Sequence, residues 1–459
     1  MSLPDRPGPE AATNALTSGG HHAAMTLSGY GSGDAAWTGT QVAAAAATAC
    51  LLGAALGYLS SSRLDAARGH TTAPSASASL DDSAGARAGR DVVDGLEGLI
   101  GNTPLVRIRS LSEETGCEIL AKAEFLNPGG SVKDRVALSV LREAMDSGRL
   151  SPGGTVFEGT VGSTGVSLAT LAPALGVRAH ICMPDDAALE KVALLNALGA
   201  TVERLRPVSI SHPDHFVNVA RRRAADAPNP PGGVFADQFE NAANLDAHLA
   251  TGEEIWRQTG GRIDAFVSGA GTGGTLAGVS RALKQRDPAV LTVLIDPPGS
   301  SLYNRVARGV AYHGAEAEGR RLRNPFDTIV EGMGLNRVTA NFAAARIDAA
   351  MQASDREAVE MAAYLVRNDG LFVGSSAAVN CVGAVKVARR LGPGHTVVTV
   401  LCDGGQRHLS RFHSPAYLAT LDLMPAAQGR GLEFVKGPRE TNARPYGAAF
   451  KAVGDDNAS

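Results

Sequence analysis

Lys133 lies in the run Asn127-Pro128-Gly129-Gly130-Ser131-Val132-Lys133-Asp134-Arg135, at the mouth of a helix just after a Pro-Gly-Gly turn. Ser131 is placed to cap that helix. The helix dipole and the neighbouring Arg135 are both expected to lower the amine's pKa, and a free amine condenses with an aldehyde. Further along, Gly271-Thr272-Gly273-Gly274-Thr275 follows an apolar strand-like run. Its backbone N–H groups and two hydroxyls at a strand-to-helix turn suit a phosphate dianion. A reactive lysine and a phosphate loop are the two ends of a pyridoxal-phosphate site. The same loop also fits G-x-G-x-x-G, with Asp296 ending the next strand as a dinucleotide fingerprint requires. That reading leaves Lys133 without a role.

Two further segments offer polar groups. Glu158-Gly159-Thr160-Val161-Gly162-Ser163-Thr164-Gly165 joins a strand to a helix, and its hydroxyls and amides form an anion site suited to a carboxylate. Gln238-Phe239-Glu240-Asn241-Ala242-Ala243-Asn244 adds neutral amides able to hold a zwitterionic amino acid.

The elements that position these groups read as strands alternating with helices. The runs 155–160, 179–184, 201–205, 265–271, 291–296 and 396–403 are apolar and strand-like. The helix after Lys133 carries Val136, Ala137, Val140, Leu141, Ala144 and Met145 on one face. This alternation predicts an α/β architecture with mostly parallel sheets, binding ligands at the C-terminal ends of the strands. The 46 acidic and 43 basic residues nearly balance, so no global field points to nucleic acid. The five cysteines are scattered without C-x-x-C, which predicts neither a disulfide framework nor a metal site. Cys182 and Cys402 are expected as buried thiols.

Outside the catalytic part, residues 1–36 read as a disordered leader. Residues 37–61 read as a transmembrane anchor, with the uncharged run 42–59 as its span. Residues 62–91 read as a flexible tether and 92–417 as the folded domain. Residues 418–459 are expected to be an irregular tail, loosely held from Gln428 to Ser459. Arg63 and Arg68 follow the hydrophobic run, leaving the bulk of the chain on the cytosolic side.

Taken in order, N-P-G-G-S-V-K-D-R, T-V-G-S-T-G, D-Q-F-E-N-A-A-N, G-T-G-G-T and G-Q-R-H-L-S resemble the cysteine synthase and cystathionine β-synthase family. The likeness runs from about Leu99 to Phe412 and is strongest toward fungal mitochondrial outer-membrane cysteine synthase-like proteins, which also carry a hydrophobic N-terminal anchor. The resemblance implies a fold-type II pyridoxal-phosphate enzyme, tryptophan synthase β-like, with two three-layer αβα domains behind an N-terminal hydrophobic helix. A mobile smaller subdomain would span about 136–237, and the enzyme would be a homodimer at the mitochondrial outer membrane facing the cytosol. The implied reaction converts O-acetyl-L-serine and sulfide into L-cysteine and acetate. A serine or threonine dehydratase, a cystathionine β-synthase-like lyase and a membrane-tethered pseudo-enzyme are the alternatives.

The resemblance also assigns roles. Lys133 carries the cofactor and shuttles the proton, and Gly271, Thr272, Gly273, Gly274 and Thr275 hold its phosphate. Thr160, Val161, Gly162, Ser163 and Thr164, with Gln238, bind the substrate carboxylate. Two positions depart from the family pattern. Ser163 stands where an asparagine contacts the cofactor's phenolic oxygen. Asp403 and Gly404 stand where relatives place a serine at or near the ring nitrogen, and Gly404 has no hydroxyl to offer.

Overall fold

The computed structural model describes residues 92–313 and 328–437. The expected leader, anchor and tether lie outside the described residues, as do positions 438–459 of the tail. Among the described residues no helix is long and apolar enough to cross a membrane.

The larger sheet takes its strands in the order β1-β2-β10-β7-β8-β9. These are β1 (Leu105–Arg107), β2 (Glu118–Ala123), β7 (Ala265–Ser268), β8 (Leu291–Asp296), β9 (Ala349–Gln352) and β10 (Thr396–Leu401). Only β1 runs antiparallel to its neighbour β2; the other pairings are parallel. Apolar residues face both ways, as a sheet covered on both sides requires. Ala265, Val267, Val397 and Leu401 pack with α1 (Arg109–Thr115), α10 (Asp355–Asp369) and α11 (Ser375–Leu391). Phe266, Val398 and Val400 point the other way, toward α6 (Ala242–Thr259), α7 (Gly274–Arg286) and α8 (Leu302–Arg308).

The smaller sheet has the order β5-β4-β3-β6, all parallel, from β3 (Thr155–Gly159), β4 (Arg178–Pro184), β5 (Thr201–Leu205) and β6 (Gly233–Phe235). It lies within the 136–237 segment. On one face Val156, Ile181 and Met183 pack with α2 (Lys133–Asp146), α3 (Ser163–Leu171) and Leu195 of α4 (Leu189–Ala197). On the other, Cys182 meets Val219 and Ala220 of α5 (Phe216–Ala225). In α2 the residues Val136, Ala137, Val140, Leu141 and Ala144 are all buried. Burying a side chain such as Leu141 contributes about 1.5–3 kcal/mol.

The strands β1, β2, β6 and β9 were not expected. The three-residue β1 and β6 are too short to show a period, and β2 buries the charged Lys122, which breaks an apolar run. The expectation of a loosely held tail fails for 428–437. After α12 (Pro415–Thr420) the chain is irregular but strapped to the core. Leu432 and Val435 are buried, Arg389 Nη2 donates to the Leu432 carbonyl at 2.8 Å, and Glu360 accepts from the Ala426 and Ala427 N–H groups. Isolated apolar residues in a polar stretch carry no periodic signal, so sequence reading missed this strap.

Candidate active site

The C-terminal ends of β2, β10 and β7, three adjacent parallel strands, lead into the Lys133 segment, Asp403 and the glycine loop. From β2 the chain passes a single 3₁₀ turn (Glu124–Leu126) into the Pro-Gly-Gly turn, where Gly130 takes φ 78°. The segment is stitched to the end of β10: Val132 N–H donates to the Cys402 carbonyl at 2.8 Å, and Ser131 pairs with Asp403. Val132, rather than Ser131, is the N-cap residue of α2; the Ser131 hydroxyl still accepts from the Lys133 N–H at 3.3 Å.

Lys133 opens α2. Burial pushes its amine pKa down, with Cys402 and Asp403 acting in the opposite direction. Arg135 was expected to help lower it, but its guanidinium turns away. Its Nε donates to Glu124 Oε2 at 2.7 Å and its Nη1 to Glu254 Oε1 at 2.8 Å, in a buried cluster with Lys122. The lysine is therefore favoured as a free amine by desolvation, not by a neighbouring cation. Cys402 is partly exposed as a residue, but burial pushes its thiol up to about 11, as expected of a buried thiol, and it lies close enough to interact with Lys133.

β7 leads into the glycine loop, whose glycines are forced by close approach. A Cβ at Gly271 would overlap the Gly332 carbonyl oxygen, and one at Gly274 would overlap Asn244 Oδ1. Gly273, with φ 90°, would place a Cβ 2.5 Å from the Phe342 nitrogen. The first turn of α7 leaves its N–H groups without partners inside the helix, a ready anion site. Thr275 Oγ1 lies 3.1 Å from His248 Nε2, and the other ring nitrogen is 3.1 Å from Thr251 Oγ1. Burial, with Arg135 and Lys133 nearby, drives the His248 pKa well below its usual range, so the ring is neutral.

The third loop lies between β3 and α3. Gly162 is the N-cap of α3, the Thr160 hydroxyl accepts from the Gly162 N–H at 3.1 Å, and Val161 is exposed. The Ser163 hydroxyl makes no hydrogen bond among the described residues. Thr164 Oγ1 donates to Gln238 Oε1 at 2.6 Å, which leaves the Gln238 amide N–H₂ to donate elsewhere. Asp237, at φ 50°, turns the chain before Gln238, whose own N–H donates to Glu158 Oε2 at 3.1 Å. Glu158 Oε1 accepts from the Gly159 N–H; burial raises this carboxyl to about 8 against the pull of both N–H donors.

Asn244 joins the loops. Its Nδ2 donates to the Gln238 carbonyl at 2.7 Å and to Thr272 Oγ1 at 2.8 Å, while its buried Oδ1 has no partner. Thr339 Oγ1 then donates to the Thr272 carbonyl at 2.8 Å. A continuous chain of hydrogen bonds thus runs from the loop between β3 and α3 to the glycine loop. At the end of β10, Asp403 Oδ2 lies 2.9 Å from His408 Nε2, and its Oδ1 is buried without a partner where a Cβ on Gly374 would overlap it. Gly404 faces Gln406, whose Oε1 occupies the direction a side chain at 404 would take.

Sequence reading missed His248, Thr251 and Thr339. Asn244 closes the quoted D-Q-F-E-N-A-A-N run and was legible as polar, though not as a tie between loops. The other three carry no motif and become significant only through contact.

Three glycines without room for a side chain, an open helix N-terminus and a desolvated lysine fit pyridoxal phosphate. Residues 96–403 match the family model described as "Pyridoxal-phosphate dependent enzyme". The chain belongs to this family of fold-type II enzymes and depends on pyridoxal phosphate. It is 54% identical over 355 residues to "Cysteine synthase 2" of Schizosaccharomyces pombe, a match covering 75% of this chain and 90% of that one. It is 52% identical over 332 residues to a "Putative mitochondrial cysteine synthase" of Saccharomyces cerevisiae, covering 70% and 84%. Among solved structures, the O-acetylserine dependent cystathionine beta-synthase of Helicobacter pylori superposes with a TM-score of 0.60 at 30% identity, covering 70% of this chain and 98% of that one.

Proposed function

We propose that this chain is a cysteine synthase that exchanges the acetoxy group of O-acetyl-L-serine for sulfide. The β-carbon–oxygen bond breaks, a carbon–sulfur bond forms, and acetate leaves. Relatives named cysteine synthase at 52–58% identity support the activity. The observation that carries the site assignment is the hydrogen-bond chain Thr164–Gln238–Asn244–Thr272, which ties an amino-acid carboxylate site to a phosphate site beside Lys133.

Pyridoxal phosphate supplies the electron sink when bound. Lys133 holds it, and the freed Nζ removes the α-proton; burial favours the neutral amine that this requires. The glycine loop 271–275 and the α7 N-terminus hold the phosphate, with the neutral His248 orienting the Thr275 hydroxyl. The α3 N-terminus, Thr160, Val161, Gly162, Ser163, Thr164 and the Gln238 amide bind the substrate carboxylate. Asp403 shares one oxygen with His408 while its other oxygen is buried without a partner, so this carboxylate would be the polar group available near the ring nitrogen, where Gly404 offers none. The smaller subdomain, about 136–237, closes over the substrate, and the active enzyme is a homodimer.

The uncharged run 42–59, together with the yeast relative's name, supports a mitochondrial location, with this run as an outer-membrane anchor and the catalytic domain facing the cytosol. Protease added outside intact mitochondria should digest the catalytic domain; protection would reject this orientation. The activity is tested by recording the visible spectrum of the full-length protein while O-acetylserine and then sulfide are added. The cofactor band should shift on the first addition and return on the second, with cysteine and acetate formed one to one. Pyruvate as the main product would reject cysteine synthase in favour of a dehydratase.

A further inference from the structure

On the α5 face of the smaller sheet, three side chains of metal-ligating type converge. His180 and Cys182 are two residues apart on β4 and so share one face, and Glu203 on β5 is the register partner of Cys182. His180 Nε2 lies 3.0 Å from Glu203 Oε2, and Cys182 Sγ lies 3.8 Å from the same oxygen. All three ligand atoms are within 4.8 Å of one another. In a tetrahedral zinc site, bond lengths of about 2.0–2.3 Å place the ligand atoms roughly 3.3–3.8 Å apart, so only small rotamer shifts are needed.

The surroundings hold the ligands in place. The Phe157 ring packs against the His180 ring at 5.1 Å between centroids. Arg223 fixes the Glu203 carboxylate, Nε to Oε2 at 3.1 Å and Nη2 to Oε1 at 2.8 Å. A pocket of about 190 Å³, lined by Glu203, Leu205, Asp214 and Arg223 among others, opens beside Glu203. Of the three candidate ligands only Glu203 lines it, so an ion or water would reach the cluster past that carboxylate. We propose that His180, Cys182 and Glu203 form a binding site for zinc or a similar borderline divalent cation. The mixed nitrogen, sulfur and oxygen set disfavours magnesium and calcium, which take oxygen ligands. On binding, the ion displaces the Cys182 thiol proton, which passes to solvent, and takes the place of the hydrogen bond between His180 and Glu203. Cysteine spacing along the chain gave no hint of this site, because two ligands sit on one strand and the third on its neighbour.

The test uses full-length protein stripped by chelator, dialysed against zinc ion and counted by elemental analysis, with zinc-edge X-ray absorption to read the shell. One zinc per chain is expected, with a single sulfur at ~2.3 Å and nitrogen or oxygen otherwise. Cys182→Ser should remove the sulfur from the shell. His180→Gln and Glu203→Gln, the latter at a partly buried side chain, should each weaken binding by about tenfold or more. The Glu203 change keeps the shape of its side chain, so the test survives if a change at the buried cysteine prevents folding. Failure to retain zinc, a shell without sulfur, sulfur that persists in Cys182→Ser, or a Glu203→Gln protein binding as tightly as the parent would each overturn the proposal.

Discussion

Replacing Gly273 by alanine tests how closely the backbone must approach the phosphate. Two costs arise. At φ 90° a residue with a side chain is strained by about 1–3 kcal/mol. The added Cβ would also lie 2.5 Å from the Phe342 nitrogen and 2.6 Å from its Cα, against an ordinary carbon contact of about 3.5–4.0 Å. Those are backbone atoms of α9 (Ala340–Ala343) and cannot rotate away, so loop or helix must shift by roughly 1 Å. Overpacking of this kind costs about 1–3 kcal/mol. The sum is about 2–6 kcal/mol, and since about 1.4 kcal/mol is a factor of ten, cofactor affinity should fall at least ~30-fold if the loop absorbs the change. Otherwise the melting temperature falls. Gly309→Ala is the control, because Gly309 has φ 79° but nothing within 4 Å of its Cβ; it should lose about 1 kcal/mol of stability and no cofactor affinity. The assay strips the cofactor, titrates it back by absorbance, and compares thermal melts. A Gly273→Ala protein that melts normally and binds within ~3-fold of the parent would refute the close-approach argument.

Other changes probe the remaining parts. Lys133→Ala should cut turnover by several orders of magnitude, and borohydride should label Lys133 in the parent; peptide mapping that finds the label on another lysine refutes the assignment. Burial raises the Glu254 carboxyl, but Arg135 and Lys122 outweigh this and hold its pKa down to about 2. Its folded value lies below its unfolded one, so its contribution of about 3 kcal/mol is complete above pH ~4.5 and is lost as pH falls toward 2. Glu254→Gln should flatten that part of the stability profile in urea titrations, and an unchanged slope would contradict it. Gly404→Ser needs only the flexible end of Gln406 to move. Together with Ser163→Asn it should tighten the cofactor or raise activity, and abolished activity in both would show a site tuned to other chemistry.

The parallel sheets and the three loops were legible because each lies where an apolar run meets a cluster of glycines and hydroxyls. β5 and β8 match their expected runs, and β10 ends two residues before its run does. What was not legible depends on contacts between distant positions. Arg135 read as a neighbour of Lys133, yet in space it belongs to Glu124 and Glu254. Asp403 read as a group for the cofactor ring, and its partner proved to be His408. His248 carries no local signal, since only the packing of α6 on α7 brings it to Thr275.

Helix α2 belongs to two bodies at once. Its first turn is bolted through Arg135 to Glu124, at the end of β2, and to Glu254 in α6, while Val136 through Ala144 pack in the core of the smaller sheet. In the proposed closure of the smaller lobe, the place that would travel least is this bolted turn, and Lys133 sits in it. The amine would stand near the fulcrum and the loop beyond Gly159 at the end of the lever, so that closure would move the proposed carboxylate grip while leaving the lysine in place.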